Sequence, residues 1–228
     1  MKTRIIPCAF GLALALSLNA LGGPAFSDNF NSPDSADINT QRDLRQSGSE
    51  SPVPYRIVTL MVPSGIQDDQ IKIEKNVLSL TNAGGKKAPV SVCPDRNFDN
   101  LGKRYRVAVT AHPLTSWAGI QLTPVQKGDW PDTSSGLSLI ISPNGAWNLW
   151  NNTDKPKQLI GSGKAAGAEQ YRVEFDVDET AGRFVTVTIN GTKVVDRKAF
   201  SYDSAKRFVM LQSVGQTEFD DLLVEPVD

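Results

Sequence analysis

The sequence predicts an all-β protein, a two-sheet antiparallel β-sandwich of the jelly-roll kind, and three observations carry that prediction. After the first twenty-odd positions, apolar residues recur at spacing two, the period of a half-buried strand, and not at the three-and-four spacing of a helix. Turn-forming residues interrupt these runs about every ten positions, as they do in sandwiches and barrels. The first and last apolar segments also read as strands, and pairing them side by side would close an edge otherwise open to aggregation.

The chain of 228 residues begins with a segment of different character. Lys2 and Arg4 form a basic start, Ile5 to Leu18 is apolar almost without interruption, and small residues follow at Ala20, Gly22, Gly23 and Ala25. This is the pattern of a secretory leader. Its apolar run of about 14 residues is short of the roughly 20 that a membrane-spanning helix needs, so no transmembrane anchor is expected to remain. The protein is therefore expected to be exported, to the periplasm, the cell surface or the medium. A cut after Ala20 or after Ala25 would each put a small residue at the cleaved bond. Ala25 is preferred because its surroundings match the small-x-small pattern, which makes 1–25 the leader and 26–228 one folded domain.

Composition excludes several function classes. Lys2 and Arg4 leave with the leader, so 22 of the 24 basic residues face 25 acidic ones, a net charge of −3. That is an ordinary surface without the basic stripe that tracks phosphates, so nucleic acid is not an expected partner. The pair Lys86-Lys87 beside Gly84-Gly85 reads as a solvated turn. Once Cys8 is removed, Cys93 is the remaining cysteine, so the fold cannot depend on an internal disulfide, and Cys93 is expected as a small buried hydrophobe. About 200 residues can bury a sufficient core without such a bridge.

The strands are expected in order along the chain. Phe26 to Phe30 opens the fold, and Asn31 to Pro54 is a polar surface crossing. Tyr55 to Val62 is β-branched and bounded by Pro54 and Pro63, and Asn82 to Gly85 is a turn. Tyr105 to Thr110 alternates, with His112 just beyond it in a loop. Pro143-Asn144-Gly145 joins Leu137–Ser142 to Ala146–Trp150, and Lys155 to Glu169 reads as a loop. From Tyr171 to Val195 an antiparallel meander turns at Asp178–Arg183 and again at Asn190-Gly191, a pair that supplies the two positive φ angles of a type I′ turn. After Gly215-Gln216-Thr217 the closing strand runs Glu218 to Val224. No convincing helix follows the leader.

Taken together, Phe26-Ser27-Asp28-Asn29-Phe30, the strand Val173–Val177 leading to Val187–Gly191, and Phe219-Asp220-Asp221-Leu222 resemble the concanavalin A-like lectin/glucanase superfamily, and within it the bacterial laminin-G-like jelly rolls. The run Asp37-Ile38-Asn39 followed by Arg45-Gln46-Ser47-Gly48 is similar to what secreted members carry after their first strand. The resemblance covers nearly all of residues 26 to 228 and rests on strand patterns, so it bears on fold. Because the superfamily holds binding modules, glycoside hydrolases and polysaccharide lyases, activity must be argued from the site.

The residues offer little for catalysis. Glycoside hydrolysis needs two facing carboxylates, which the resemblance places on one strand as Glu-x-Asp-x-x-Glu, and no such string occurs. Glu174, Asp176 and Asp178 do share a strand face, as on the outside of any amphipathic strand. The Gln-x-His of alginate-lyase-like members is also missing: His112, the one histidine, is followed by Pro113 and Leu114. One histidine and one mature cysteine leave almost no material for a zinc hydrolase or a Ser-His-Asp triad.

Binding is the better-supported expectation. A pyranose has an apolar face and a polar rim, so its sites combine aromatic platforms with amides. Gly145 to Asn152 supplies both: Trp147 and Leu149 point one way along a strand, Asn148 and Trp150 the other. Trp150 with Asn148, Asn151 and Asn152 is therefore expected at a surface, with Trp130 as a second exposed candidate and Trp117 in the core. The expectation is a secreted, non-catalytic module for carbohydrate or another extracellular polymer. A hydrolase or lyase of the same fold, or a structural envelope protein, is the alternative. If the end strands pair, Asp28 and Asp221 are expected to converge near the core, where oxygen ligation would suit a structural calcium ion, as the resemblance also implies.

Overall fold

The computed structural model describes residues 23–58, 70–82, 89–123, 125–126, 130–131, 135–154, 156–201 and 207–227. In chain order the strands are β1 (Phe26–Asp28), β2 (Gln46–Ser47), β3 (Tyr55–Ile57), β4 (Ile71–Glu74), β5 (Val77–Thr81), β6 (Val90–Pro94), β7 (Arg104–Pro113), β8 (Ala118–Thr123) and β9 (Val125–Gln126). They continue with β10 (Trp130–Pro131), β11 (Leu137–Ile141), β12 (Ala146–Asn151), β13 (Gln158–Lys164), β14 (Tyr171–Asp178), β15 (Phe184–Ile189), β16 (Thr192–Ala199), β17 (Phe208–Ser213) and β18 (Gln216–Pro226). A four-residue helix, α1 (Arg42–Arg45), precedes β2.

Two antiparallel sheets face one another. The nine-stranded sheet runs β16-β15-β14-β7-β18, after which the far edge of β18 is shared: β5 pairs with Gln216–Phe219 and β1 with Leu222–Val224. Strand β4 then extends β5, and β2 extends β1. The seven-stranded sheet runs β13-β12-β11-β8-β17-β6-β3, and β9 and β10 form a short separate ribbon. Period-two burial builds the layers. In β14, Tyr171, Val173, Phe175 and Val177 are buried while Arg172, Glu174, Asp176 and Asp178 alternate outward. Opposite them, Ile120, Leu122, Leu139, Ile141, Leu149 and Leu211 fill the space from the other sheet, in one contiguous core. Asn190 and Gly191 adopt φ of 48° and 74°, the left-handed pair of a type I′ turn, and β15 folds back onto β16 there.

The expectations meet the structure unevenly. The opening and closing strands do pair, Phe26 with Val224 and Asp28 with Leu222. Strand β7 runs on through Pro113, so His112 lies in the sheet opposite Glu218 and not in a loop, because the long partner β18 keeps pairing past Thr110. The glycine-rich stretch expected as a loop contains β13, whose glycines are tolerated because the Trp147 ring lies against the positions a side chain would occupy at Gly161 and Gly163. A helix does occur after Asn31, one turn long, too short to leave a periodic signal. Residues 59–62, the glycines at 84 and 85 and the lysines at 86 and 87 lie outside the described residues. Among the described residues no helix is long and apolar enough to cross a membrane. Cys93 faces away from the main core into a small cluster with Val58, Phe208 and Met210, and burial pushes its thiol up to about 12, so it behaves as a hydrophobe.

The long polar crossing is tied down by one buried carboxylate. Asp28 is fully buried on the core side of β1. Its Oδ2 accepts from Arg45 Nη1, from Gln46 Nε2 at 3.0 Å and from the Tyr55 hydroxyl at 3.1 Å, and its Oδ1 accepts from the Phe30 amide at 2.9 Å. The Arg45 guanidinium also donates to the Ile38 carbonyl and lies over the Phe30 and Tyr55 rings, 5.5 and 5.7 Å from their centroids. Gln46 exchanges two bonds with the backbone of Val53, and Asn39 two with that of Tyr55. Burial first, and then the Asp28 charge, hold the Tyr55 phenol well above its usual range, so it stays a neutral donor. A dry carboxylate is tolerated when paired and fully hydrogen-bonded, and removing one partner leaves the other charge stranded. Arg45→Met is therefore expected to destabilise the fold by about 3–5 kcal/mol, measured by urea denaturation, with the Asp28→Asn/Arg45→Met double variant recovering part of the loss.

Candidate functional site

The outer face of the seven-stranded sheet is built from the residues that alternate with its core positions. Ile120 points inward from β8, Ile141 from β11 and Leu149 from β12, so Gly119, Ile140 and Asn148 point outward. Strand register aligns these across the sheet as one row, Ser91, Gln212, Gly119, Ile140, Asn148 and Ser162. The neighbouring row is Met210, Gln121, Ser138, Trp150 and Leu159. Exposure rises along both. Ser91, Gln212, Gln121 and Met210 are buried, Ile140, Asn148 and Trp150 are half-buried, and Ser162 and Leu159 are exposed at the β13 edge.

A second tryptophan reaches this face. Trp117, expected in the core, directly precedes the inward-facing Ala118, and the structure leaves it half-buried on the outside. Its ring edge lies 3.0 Å from where a Gly119 side chain would begin, so the glycine makes room for the indole above the sheet. Gly119 and Trp150 stand two strands and one outward step apart, about 12 Å from strand spacing and rise. Between them lie Ile140 and Asn148. None of Gly119, Ile140, Asn148, Ser162, Gln121, Ser138, Trp150 or Leu159 carries a charge, so these two rows are polar, aromatic and electrically neutral, and the adjoining row ends in the exposed Lys164 opposite Ala146. Alternation alone could have found Trp117, since Ala118, Ile120 and Leu122 declare the inward set and leave 117 on the other side.

The remaining expected contact residues divide. Asn148 and Trp150 stand together on one face, while Trp147 and Leu149 are buried on the other, as the alternation implied. Asn151 and Asn152 are not surface groups: they are 1% and 7% exposed. The Asn151 side chain donates to Asp154 at 2.8 Å and to Ser201 at 3.3 Å and accepts from the Thr153 amide, while the main-chain N–H of Asn152 donates to the Gly136 carbonyl. Both are spent on anchoring the turn after β12. The backbone of Trp130 pairs with Gln126, and its side chain lies outside the description.

The outer face of the nine-stranded sheet is charged. Arg106 Nε donates to Asp176 at 2.8 Å, Arg197 Nη1 to Asp178 at 3.1 Å, and Arg172 lies 3.8 Å from Glu174. A cleft of about 330 Å³ opens among Arg106, Asp176, Asp178 and Arg197. Side-chain and backbone bonds from Thr180, with help from Arg197, hold Asp178 down at about 2. A glycosidic general acid needs a carboxyl kept protonated near neutral pH, and Asp178 is held the opposite way. His112 Nδ1 lies 3.0 Å from Glu218 Oε2 on the same face.

The expected convergence of Asp28 and Asp221 does not occur. A bulge between Asp220 and Leu223 inserts an extra residue, Asp221 takes φ of 50°, and the parity of the strand reverses, so Asp221 is exposed while Phe219 and Leu222 are buried. Asp28 is already neutralised by Arg45. Among the described residues no three metal-ligating side chains cluster.

The bulge leaves a different mark. Partial burial, reinforced by the nearby charges of Asp221 and Asp28 and opposed by the Asp221 amide and Arg172, raises the Asp220 carboxyl to about 6. The fold therefore prefers it protonated: its stabilising contribution is complete below the unfolded value near 4 and is lost as pH rises through about 6. Allowing for solvent screening, Asp220→Asn is expected to match the parent below pH 4 and to exceed it by about 1 kcal/mol at pH 7, read from urea titrations across that range.

No protein-family model matches the chain, and none of the curated protein sequences does. Solved structures do. The carbohydrate recognition domain of Emp47p superposes with a TM-score of 0.54 at 15% identity, covering 85% of this chain and 95% of that one. The potassium-bound carbohydrate recognition domain of Emp46p gives 0.55 at 8% identity, covering 76% and 89%. The chain also spans 17% of the length of a sialidase, with a TM-score of 0.48 and 13% identity, too loose a likeness to carry an argument. At these identities the shared property is the fold, the β-sandwich of carbohydrate recognition domains.

Proposed function

We propose that this protein is an exported, non-catalytic carbohydrate-binding domain of concanavalin A-like, laminin-G-like type that takes an uncharged glycan on the outer face of its seven-stranded sheet. One observation carries the reading: Trp117 and Trp150, both half-buried, stand on the same sheet face with the uncharged Asn148 between them. Each indole offers a flat apolar surface for the axial hydrogens of a pyranose, and the amide offers a donor and an acceptor for its hydroxyls. An anionic glycan would find no cation within the two rows through Asn148 and Trp150 to compensate its charge, Lys164 standing in the adjoining row opposite Ala146.

The kinship in fold with the Emp46p and Emp47p carbohydrate recognition domains supports a binding role without naming a sugar. A hydrolase or lyase reading is weaker, because the aligned carboxylates lie on the opposite face of the sandwich and are engaged by arginines. Calcium at Asp28 forms no part of the reading, since Arg45 occupies the position a cation would take. Export follows from the basic start and apolar run at the N-terminus, with residence in the periplasm, on the surface or outside the cell.

A glycan array probed with the purified protein is expected to select neutral oligosaccharides, with tryptophan fluorescence reporting saturable binding. Trp150→Ala and Trp117→Ala are each expected to weaken that binding about tenfold or more, the loss of one stacking contact of roughly 1.5 kcal/mol. Their melting temperatures should stay near the parent's. Trp147→Ala, which empties a core position, should instead unfold the protein by about 3–5 kcal/mol. An array with no glycan above background removes the proposal.

A further inference from the structure

We infer that the export leader is cut after Ala20 and not after Ala25, so that the mature protein keeps Gly23, Pro24 and Ala25 as a structural arm in front of β1. The inference rests on the export reading above and concerns the position of the cut. Local sequence favours Ala25, whose neighbours are small. The folded state weighs against it, on four connected observations.

The backbone of the arm is bonded into the fold. The Ser49 amide donates to the Pro24 carbonyl at 3.2 Å and the Glu50 amide to the Ala25 carbonyl at 2.8 Å. Removing Pro24 and Ala25 would leave both amides without these acceptors. The chain beneath the arm is also shaped to receive it. Gly48 has φ of 114°, and a side chain there would begin 2.7 Å from both the Pro24 and the Ala25 carbonyl oxygens. No residue but glycine permits that approach, so the glycine is committed to residues a cut after Ala25 would discard.

A cut after Ala25 would also create an α-ammonium on Phe26. That residue is fully buried, its ring 5.9 Å from that of Phe98 and 6.5 Å from that of Tyr55. A new positive charge would be forced to the margin of an apolar cluster or would pull β1 out of register with β18. Finally, Gly23 and Ala25 form one wall of a cleft of about 270 Å³, with Glu50, Phe98 and Pro226 among the others. Loss of the arm would strip that wall and open the Phe26–Phe98 contact to water.

The reaction is hydrolysis of the Ala20–Leu21 amide by water in the active site of the host's export peptidase. It leaves a carboxylate on Ala20 and an ammonium on Leu21, two residues before Gly23. The test uses the full chain expressed in a bacterial host and recovered from the exported fraction, its N-terminus read by intact mass and terminal sequencing. A mature chain beginning at Leu21 is expected. A chain beginning at Phe26 overturns the inference while leaving export intact, and an uncut chain retained inside the cell overturns both. Ala20→Gln places a large side chain at the cut and is expected to make the precursor accumulate. Undiminished processing of that variant overturns the inference as well.

Discussion

A single carboxylate under the surface of the sandwich decides how the first thirty residues of the folded chain are arranged. Asp28 sits on a strand of three residues, too short to hold its place by ladder bonds alone. Its burial is tolerable because donors arrive from three directions: Arg45 and Gln46 at the far end of the polar crossing, Tyr55 at the start of β3, and the Phe30 amide just after β1. Each is brought to the site by a different piece of chain, so satisfying one charge closes the loop between them. That closure sets β2 beside β1 and β1 beside β18. It also aims Gly48 at the arm that precedes Phe26.

With both ends of the chain held, the two outer faces of the sandwich are free to differ. On the nine-stranded sheet, outward positions of β7, β14 and β18 carry paired polar groups, Arg106 between Asp176 and Glu225, and His112 within hydrogen-bond distance of Glu218. Such exposed pairs contribute little to stability, but they keep that face soluble and leave its carboxylates engaged. On the seven-stranded sheet the two outward rows through Asn148 and Trp150 carry amides, hydroxyls, an isoleucine and an indole without a charge among them, with Trp117 beside them, while Lys164 and the Arg56–Asp95 pair lie further out on the same face. Water is displaced from such a surface at small cost, and a ligand with both apolar faces and hydroxyls can use all of it. The division between a charged face and a neutral aromatic one is the physical basis for placing ligand recognition on the second.

Much of this was legible in the residues, and the misreadings share a cause. Alternation gave the correct facing for Asn148, Trp150 and all of β14, because each side chain's direction follows from its neighbours two positions away. It failed at Asp221, where one inserted residue reverses the parity and no local signal announces the insertion. At Trp117 the size of the side chain points to burial, while the inward set Ala118, Ile120 and Leu122 places it on the outer face. Asn151 and Asn152 were legible as polar but not as buried, since Ser201, which accepts from the Asn151 side chain, and Gly136, which holds the Asn152 backbone, are distant in sequence.

By itself the sequence determined the all-β class, the antiparallel meander at Asn190-Gly191, the pairing of first and last strands and the neutrality of the residues around Trp150. The class, the meander and the neutrality follow from period, turn chemistry and composition, which are properties of short stretches of chain, and the end-strand pairing follows from the way a sandwich of this kind closes its edge. The tertiary structure alone decided that Arg45 and not a metal answers Asp28, that Trp117 shares a face with Trp150, and that residues before Phe26 belong to the fold. These depend on which distant segments meet. Contacts of that kind are set by the register and bulges of the two sheets taken together, which no single segment encodes.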